Sequence, residues 1–152
     1  MRWISAILVS ILLAAPVQAA DQPIEVAQIT NQREAQAQRI GGRWIGHYYY
    51  AGQQANRAPV EFEMEVDVVA PGQFRARICE PNTFGTRGVP FLYANVSGEI
   101  TDQGLRFTKT YDGTGGQNHS VLYVGTFNRG WTMMVGTWRI DDRTTGRFDL
   151  RR

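Results

Sequence analysis

The sequence is poor in the residue types that build reactive or metal-binding sites. Its 152 residues contain one cysteine, Cys79, one lysine, Lys109, and two histidines, His47 and His119. A single thiol cannot close an internal disulfide, so packing must hold the fold. Zinc-type spacing of cysteines and histidines does not occur, and neither does a Gly-x-Ser-x-Gly nucleophile motif. We therefore expect a protein that is not an enzyme, with no catalytic residue, no metal site and no cofactor.

Charge of one sign is also lacking. The formal net charge is +2, and Arg2 would leave with the N-terminal segment described next, so the mature chain is near neutral. The sequence shows no basic cluster that would follow a phosphate backbone. We expect no nucleic-acid partner.

Long apolar runs are missing except at the N-terminus. Residues 3–15 are almost entirely apolar, follow a basic residue and precede the small residues of 17–19. This pattern predicts a cleaved signal peptide over 1–19 and a periplasmic or secreted protein. A membrane anchor is the weaker alternative because the run is shorter than the roughly 20 residues that span a bilayer, so no membrane span is expected after cleavage. Residues 20–39 predict a flexible leader or short helix, and 40–152 form the domain.

Short alternating segments fill that domain, and helical periodicity is absent between them. The alternation predicts an all-β fold, a single antiparallel up-and-down meander of eight strands that closes into a barrel; a sandwich is the competing architecture. The last hairpin is expected to place Phe148 opposite Ile140, and the register around 128–130 is ambiguous by one residue. The predicted strands are 43–51, 59–69, 73–80, 91–100, 105–112, 119–128, 131–141 and 146–151.

One register satisfies both faces of the second and third strands. A short loop at 70–72 sets Val68 opposite Phe74 on the inner face and Asp67 opposite Arg75 on the outer face. The charges of this face are therefore explained by cross-strand pairing. The short loops 70–72, 101–104 and 128–130 lie at one end, which should be sealed with Trp44 near it. The longer loops form the open end: 52–58, 81–90, 113–118 and 142–145.

Inward-facing polar and aromatic residues collect near the open end. A mostly apolar cavity with a few polar groups is the usual form of a small-ligand site, so we expect a small, partly apolar or amphipathic ligand there. The alternative is a filled, structural barrel in which Lys109 and Glu80 pair with each other. The candidate ligand-binding residues are Tyr48, Tyr50, Glu80, Lys109, Tyr111, His119 and Trp138.

The sixth and seventh strands are apolar on both faces, which is expected where another surface covers a strand. The cover would be the 21–39 leader or a second subunit. This predicts an alternative function, an interaction module that docks a protein partner or forms a homodimer. The candidate interface residues, called here the outer stripe, are Leu122, Val124, Met133 and Val135.

Gly42-Arg43-Trp44 at the start of an eight-strand meander resembles the calycin-like barrels, which are the lipocalins, fatty-acid-binding proteins and avidins. The resemblance spans about residues 40–152 and implies the barrel, without a particular ligand. In lipocalins the corresponding tryptophan packs at the closed end beneath an arginine of the last strand. The resemblance therefore implies that Trp44 takes the first role and that Arg147 or Arg151 takes the second.

Overall fold

The chain forms a closed eight-stranded antiparallel barrel preceded by a helix. A computed structural model describes residues 22–101 and 104–152. Each strand pairs with the next, and β8 pairs with β1 to close the barrel, which confirms the predicted fold class. The predicted signal peptide lies outside the described residues. The elements are α1 Gln22–Gln38, β1 Gly42–Tyr50, β2 Val60–Ala70, β3 Gln73–Pro81, β4 Phe91–Thr101, β5 Gly104–Tyr111, β6 Ser120–Phe127, β7 Met133–Arg139 and β8 Thr145–Arg151.

The predicted β2–β3 register is confirmed. Val68 lies opposite Phe74, and Asp67 lies opposite Arg75. Strand alternation directs the first pair inward and the second outward. On the outer face of β2, the close ion pair is made with β1 and not with β3: Arg43 of β1 donates a hydrogen bond to Glu63 of β2 at 2.6 Å. The register thus follows from the sequence, whereas the choice of ionic partner depends on the neighbouring strand.

The predicted β7–β8 register is wrong. Phe148 lies opposite Gly136 rather than Ile140, because β7 ends at Arg139 and the turn comes earlier. Asp141 fixes that turn by accepting hydrogen bonds from the backbone N–H groups of Arg143 and Thr144. A ring opposite a glycine is also the better packing, since a Cβ at Gly136 would lie 2.7 Å from the Phe148 ring.

The sealed end is built around Trp44, as expected. This side chain is 0% exposed, and its indole N–H donates to the Ile40 carbonyl at 2.8 Å. The arginine that covers its ring is Arg152, at 5.3 Å, and not Arg147 or Arg151. Even-numbered residues of β8 point inward, so Arg147 and Arg151 face solvent. Arg152, directly after the strand, is the first arginine at an even-numbered position and therefore the first that can reach Trp44.

Apolar side chains fill the interior above this end. Phe107 stacks on Tyr123 with ring centroids 4.6 Å apart, and Phe148 packs edge-on against both. Along most of its length the barrel is therefore filled by side chains, as the filled-barrel alternative predicts. The leader forms helix α1, which packs against β2 and β4 rather than over the outer stripe.

Candidate functional site

A small cavity lies at the long-loop end of the barrel. Its volume is about 30 Å³, room for one or two water molecules. Five of the seven predicted ligand-binding residues line it, whereas Glu80 and Lys109 do not. The lining residues are Tyr48, Tyr50, Phe84, Tyr111, His119, Val121, Tyr123, Trp138 and Ile140.

Aromatic rings packed edge to face form one wall. Trp138 meets Tyr50 at 5.3 Å and 89°, and Tyr48 at 5.9 Å and 82°. The Trp138 indole N–H donates to the carbonyls of Tyr49 and Arg147, across the β1–β8 seam. The wall is therefore held by both ring packing and backbone hydrogen bonds.

Phe84 lines the cavity and was missed by the sequence reasoning. It lies in the loop between β3 and β4 and is partly buried. Its ring packs edge-on against Tyr111 at 5.8 Å and in a tilted arrangement against His119 at 6.2 Å. Its signal was an aromatic residue in an otherwise small and polar loop, outside the strand alternation that identified the other lining residues.

The loop that carries Phe84 is fixed independently of the Phe84 ring. The Asn82 side chain accepts from the Gly85 N–H and donates to two loop carbonyls. Thr86 N–H donates to the carbonyl of Gly115 at 2.8 Å, which ties this loop to the one after β5. None of these hydrogen bonds involves the Phe84 side chain, so displacement of the ring would not require any of them to break.

Glu80 and Lys109 form a buried network below the cavity. Each is 1% exposed, and Lys109 Nζ donates to Glu80 Oε2 and to the Tyr111 hydroxyl, the latter at 2.8 Å. Tyr111 donates to Glu80 Oε1, and the Tyr48 hydroxyl lies 3.5 Å from the same oxygen. The network thus turns the hydroxyls of two cavity-lining tyrosines away from the cavity.

Burial sets the protonation of these groups. It raises the pKa of Tyr48, Tyr111 and Tyr123 well above the usual range, with the Glu80 carboxylate as the second cause. It lowers the pKa of Lys109, and Glu80 opposes that shift. The tyrosines therefore remain neutral donors, and Lys109 depends on Glu80 to carry a charge.

Two basic side chains border the cavity. The Arg57 guanidinium lies 4.6 Å from the centre of the Tyr50 ring, and the His119 imidazole lies 4.7 Å from the Tyr111 ring. Burial lowers the pKa of His119, and the charge of Lys109 lowers it further. At neutral pH the imidazole is therefore uncharged, and its N–H remains a hydrogen-bond donor.

The outer stripe is on the outer face of β6 and β7, as predicted. Val124 is 48% exposed and Val135 is 43% exposed, while Leu122 and Met133 are partly buried. An open groove of about 560 Å³ crosses this face, with Leu122 and Val124 in its floor. The interface assignment stays a prediction, because nothing in the structure shows what covers the groove.

Metal-binding clusters and membrane-spanning helices are absent from residues 22–101 and 104–152. In that part of the chain, His, Cys, Asp and Glu residues do not gather in groups of three that could hold a metal ion. None of its helices is long and apolar enough to cross a membrane.

Similarity to known proteins extends to the fold. No protein-family model and no curated protein matches the chain. Solved structures that match include a redesigned β-barrel at 14% identity and TM-score 0.61, covering 76% of this chain and 93% of its own. A de novo designed fluorescence-activating β-barrel matches at 15% identity and TM-score 0.56, covering 76% and 95%. A redesigned β-barrel bound to DFHBI matches at 16% identity and TM-score 0.60, covering 76% and 97%. These neighbours support the eight-stranded barrel but are designed proteins, so they do not specify a calycin relationship.

Proposed function

We propose that this protein is an exported, non-enzymatic barrel that binds a small, partly apolar molecule at its long-loop end. The observation that carries the proposal is the aromatic cavity with Phe84 as a displaceable stopper. As it stands the cavity has room for water only, but the Phe84 ring that lines it occupies the volume of a phenyl group. An apolar cavity of on the order of 150 Å³ takes up benzene, so displacement of Phe84 creates a site of useful size.

The composition of the site supports binding rather than catalysis. Glu80 and Lys109, the two buried ionisable side chains nearest the cavity, are sequestered below the tyrosines and hydrogen-bonded to each other and to Tyr111. The cavity is lined mainly by aromatic rings, and the lining residues with polar groups not bonded to Glu80 or to a backbone carbonyl are His119, Tyr50 and Tyr123, which suits an apolar ligand with a few polar contacts. That a barrel of similar architecture was solved with bound DFHBI is consistent with this use of the fold.

The test uses indole as a neutral aromatic probe, followed by NMR. Binding should shift the indole N–H resonance of Trp138 and leave that of Trp44, at the sealed end, unchanged. Phe84→Ala removes two ring contacts, each worth about 0.5–1.5 kcal/mol, that a ligand must otherwise displace. We expect this variant to bind indole about tenfold more tightly than the wild type.

Phe91→Ala is the matched control, because Phe91 is 45% exposed on the outer face of β4 and does not line the cavity. It should bind indole as the wild type does. If the wild type shows no Trp138 shift up to the solubility of indole, Phe84 is a permanent part of a filled barrel and the proposed function is wrong, even if Phe84→Ala binds.

A further inference from the structure

The cations already present at the cavity restrict the charge of its ligand. An aromatic box is ordinarily a site for a cationic ligand, since ring faces are electronegative. Here the protein's own cations lie over those faces: Arg57 over Tyr50 at 4.6 Å, and Lys109 over Tyr111 at 4.4 Å and over Tyr48 at 5.4 Å. A cationic ligand at Tyr50 would meet the like charge of Arg57. At Tyr48 and Tyr111 one ring face is already occupied by Lys109, whose charge is offset by Glu80.

The carboxylates near the cavity neither line it nor pair with Arg57. None of the described residues that line the cavity is an aspartate or glutamate. Glu80, below the floor, is paired with Lys109. Of the carboxylates on the mouth loops, Asp112 pairs with Arg77 at 3.6 Å, Asp141 accepts two backbone N–H groups of its own turn, and Asp142 is exposed in the same turn. None of these described carboxylates forms an ion pair with Arg57, so the guanidinium at the entrance remains available to a ligand.

The entrance supplies donors. The exposed Arg57 guanidinium uses one nitrogen to donate to Gln54 Oε1 at 3.1 Å, which holds it beside Tyr50 and leaves its other N–H groups for solvent or a ligand. His119 makes ring contacts with Tyr111 and Phe84, and in the part of the chain that the structure describes its nitrogens bond no protein group within the mouth. Deeper in, the hydroxyls of Tyr48 and Tyr111 are committed to Glu80.

Resting on the proposed function, we infer that the ligand class is the aromatic acids: a planar ring that takes the place of the Phe84 ring, with a carboxylate or phenolate at the entrance beside Arg57 and His119. The ring packs against Trp138 and Tyr111, where hydrogen-bonding groups are turned away. The anionic group stays near solvent, where an arginine and an imidazole N–H donate to it.

Three probes of one size test this: benzoate, benzamide and benzylammonium, which are anionic, neutral and cationic. We expect benzoate to bind about five- to tenfold more tightly than benzamide, as a partly exposed charge-assisted contact provides, and benzylammonium to bind most weakly. The benzoate preference should shrink in 1 M salt because the entrance is exposed to solvent. Chemical shifts of Trp138 report binding in each titration.

Arg57→Gln should bring the benzoate affinity down to that of benzamide without changing benzamide binding. Arg129→Gln makes the same charge change on an exposed turn at the sealed end and should leave the preference intact. Equal binding of benzoate and benzamide, a preference that survives Arg57→Gln, or tightest binding of benzylammonium would overturn the inference while leaving the proposed function in place. If no probe binds, indole included, the proposed function itself fails.

Discussion

Lys109 and Glu80 should contribute to stability as a unit, so removing one of them should be worse than removing both. Each is 1% exposed, and the network that they form with Tyr111 leaves no described buried side-chain polar atom without a partner. Lys109→Met leaves the Glu80 carboxylate buried without a counter-ion, and Glu80→Gln leaves the ammonium in the same position. Breaking a buried pair in this way costs about 3–5 kcal/mol, a large part of the roughly 5–15 kcal/mol that stabilises a domain.

The double variant Lys109→Met with Glu80→Gln removes both charges and keeps a carbonyl oxygen to accept from Tyr111. Replacing a buried ion pair by neutral groups is often nearly neutral, so we expect the double variant to lose less stability than either single variant. Urea unfolding followed by tryptophan fluorescence measures all four corners of the cycle. The implied coupling is several kcal/mol in magnitude.

The pH dependence of Lys109→Met gives an independent check. A buried carboxylate without a counter-ion favours its protonated form, so the folded variant holds a proton that the unfolded chain releases above about pH 4.3. Its stability should therefore fall as pH rises from about 5 to 8 relative to the wild type. Single variants that each lose less than about 1 kcal/mol, or a double variant that loses the sum of the two, would refute the view that this pair is buried and coupled.

Three further predictions concern the frame of the barrel. Gly146→Ala should lower the free energy of unfolding by more than about 3 kcal/mol, measured in urea, because its Cβ would lie 1.8 Å from the Tyr49 carbonyl oxygen at the β1–β8 seam. The control Gly130→Ala should be nearly neutral, since a Cβ there meets nothing closer than 3.6 Å. Arg152→Ala should cost about 1 kcal/mol through its lost contact with Trp44, measured by thermal unfolding, and Arg151→Ala, which faces solvent, should be close to neutral. The three buried tyrosines with raised pKa values ionise above about pH 10 in the unfolded chain but not in the folded one. Stability should therefore fall as pH rises above about 10, and tyrosinate absorbance should increase sharply on unfolding. A smooth titration of all tyrosines in the folded protein would contradict this.

Strand register was predictable where apolar and charged pairings agreed. In the β2–β3 hairpin, Val68 with Phe74 and Asp67 with Arg75 select the same alignment, and a slip of one residue would expose every core side chain. In the β7–β8 hairpin, pairing of Asp149 with Arg139 favours the wrong alignment, since Asp149 lies opposite Val135 in the structure. Its register is set by the space that Phe148 needs opposite Gly136, a packing constraint that alternation does not show.

The candidate site was predictable in its strand residues and not in its loop. Tyr48, Tyr50, Tyr111 and Trp138 follow from alternation along their strands, and all four line the cavity. Phe84 does not, because its position depends on hydrogen bonds made by Asn82 and by the loop after β5. Alternation also fixes which way a side chain points without fixing its depth, and for this reason Glu80 and Lys109 were expected at the mouth but lie beneath it.

That difference in depth changes the role of the two charged residues. At the mouth they would orient a ligand directly; below it, Glu80 holds the hydroxyls of Tyr48 and Tyr111, and Lys109 neutralises Glu80. The pair therefore determines what the cavity presents, because without an acceptor below them the two hydroxyls would compete with an apolar ligand for the cavity. The double variant separates these roles: Gln at position 80 still accepts from Tyr111, so indole binding should survive the loss of both charges if the pair acts through the tyrosines. A direct contact between either charge and the ligand predicts that binding is lost together with the charges.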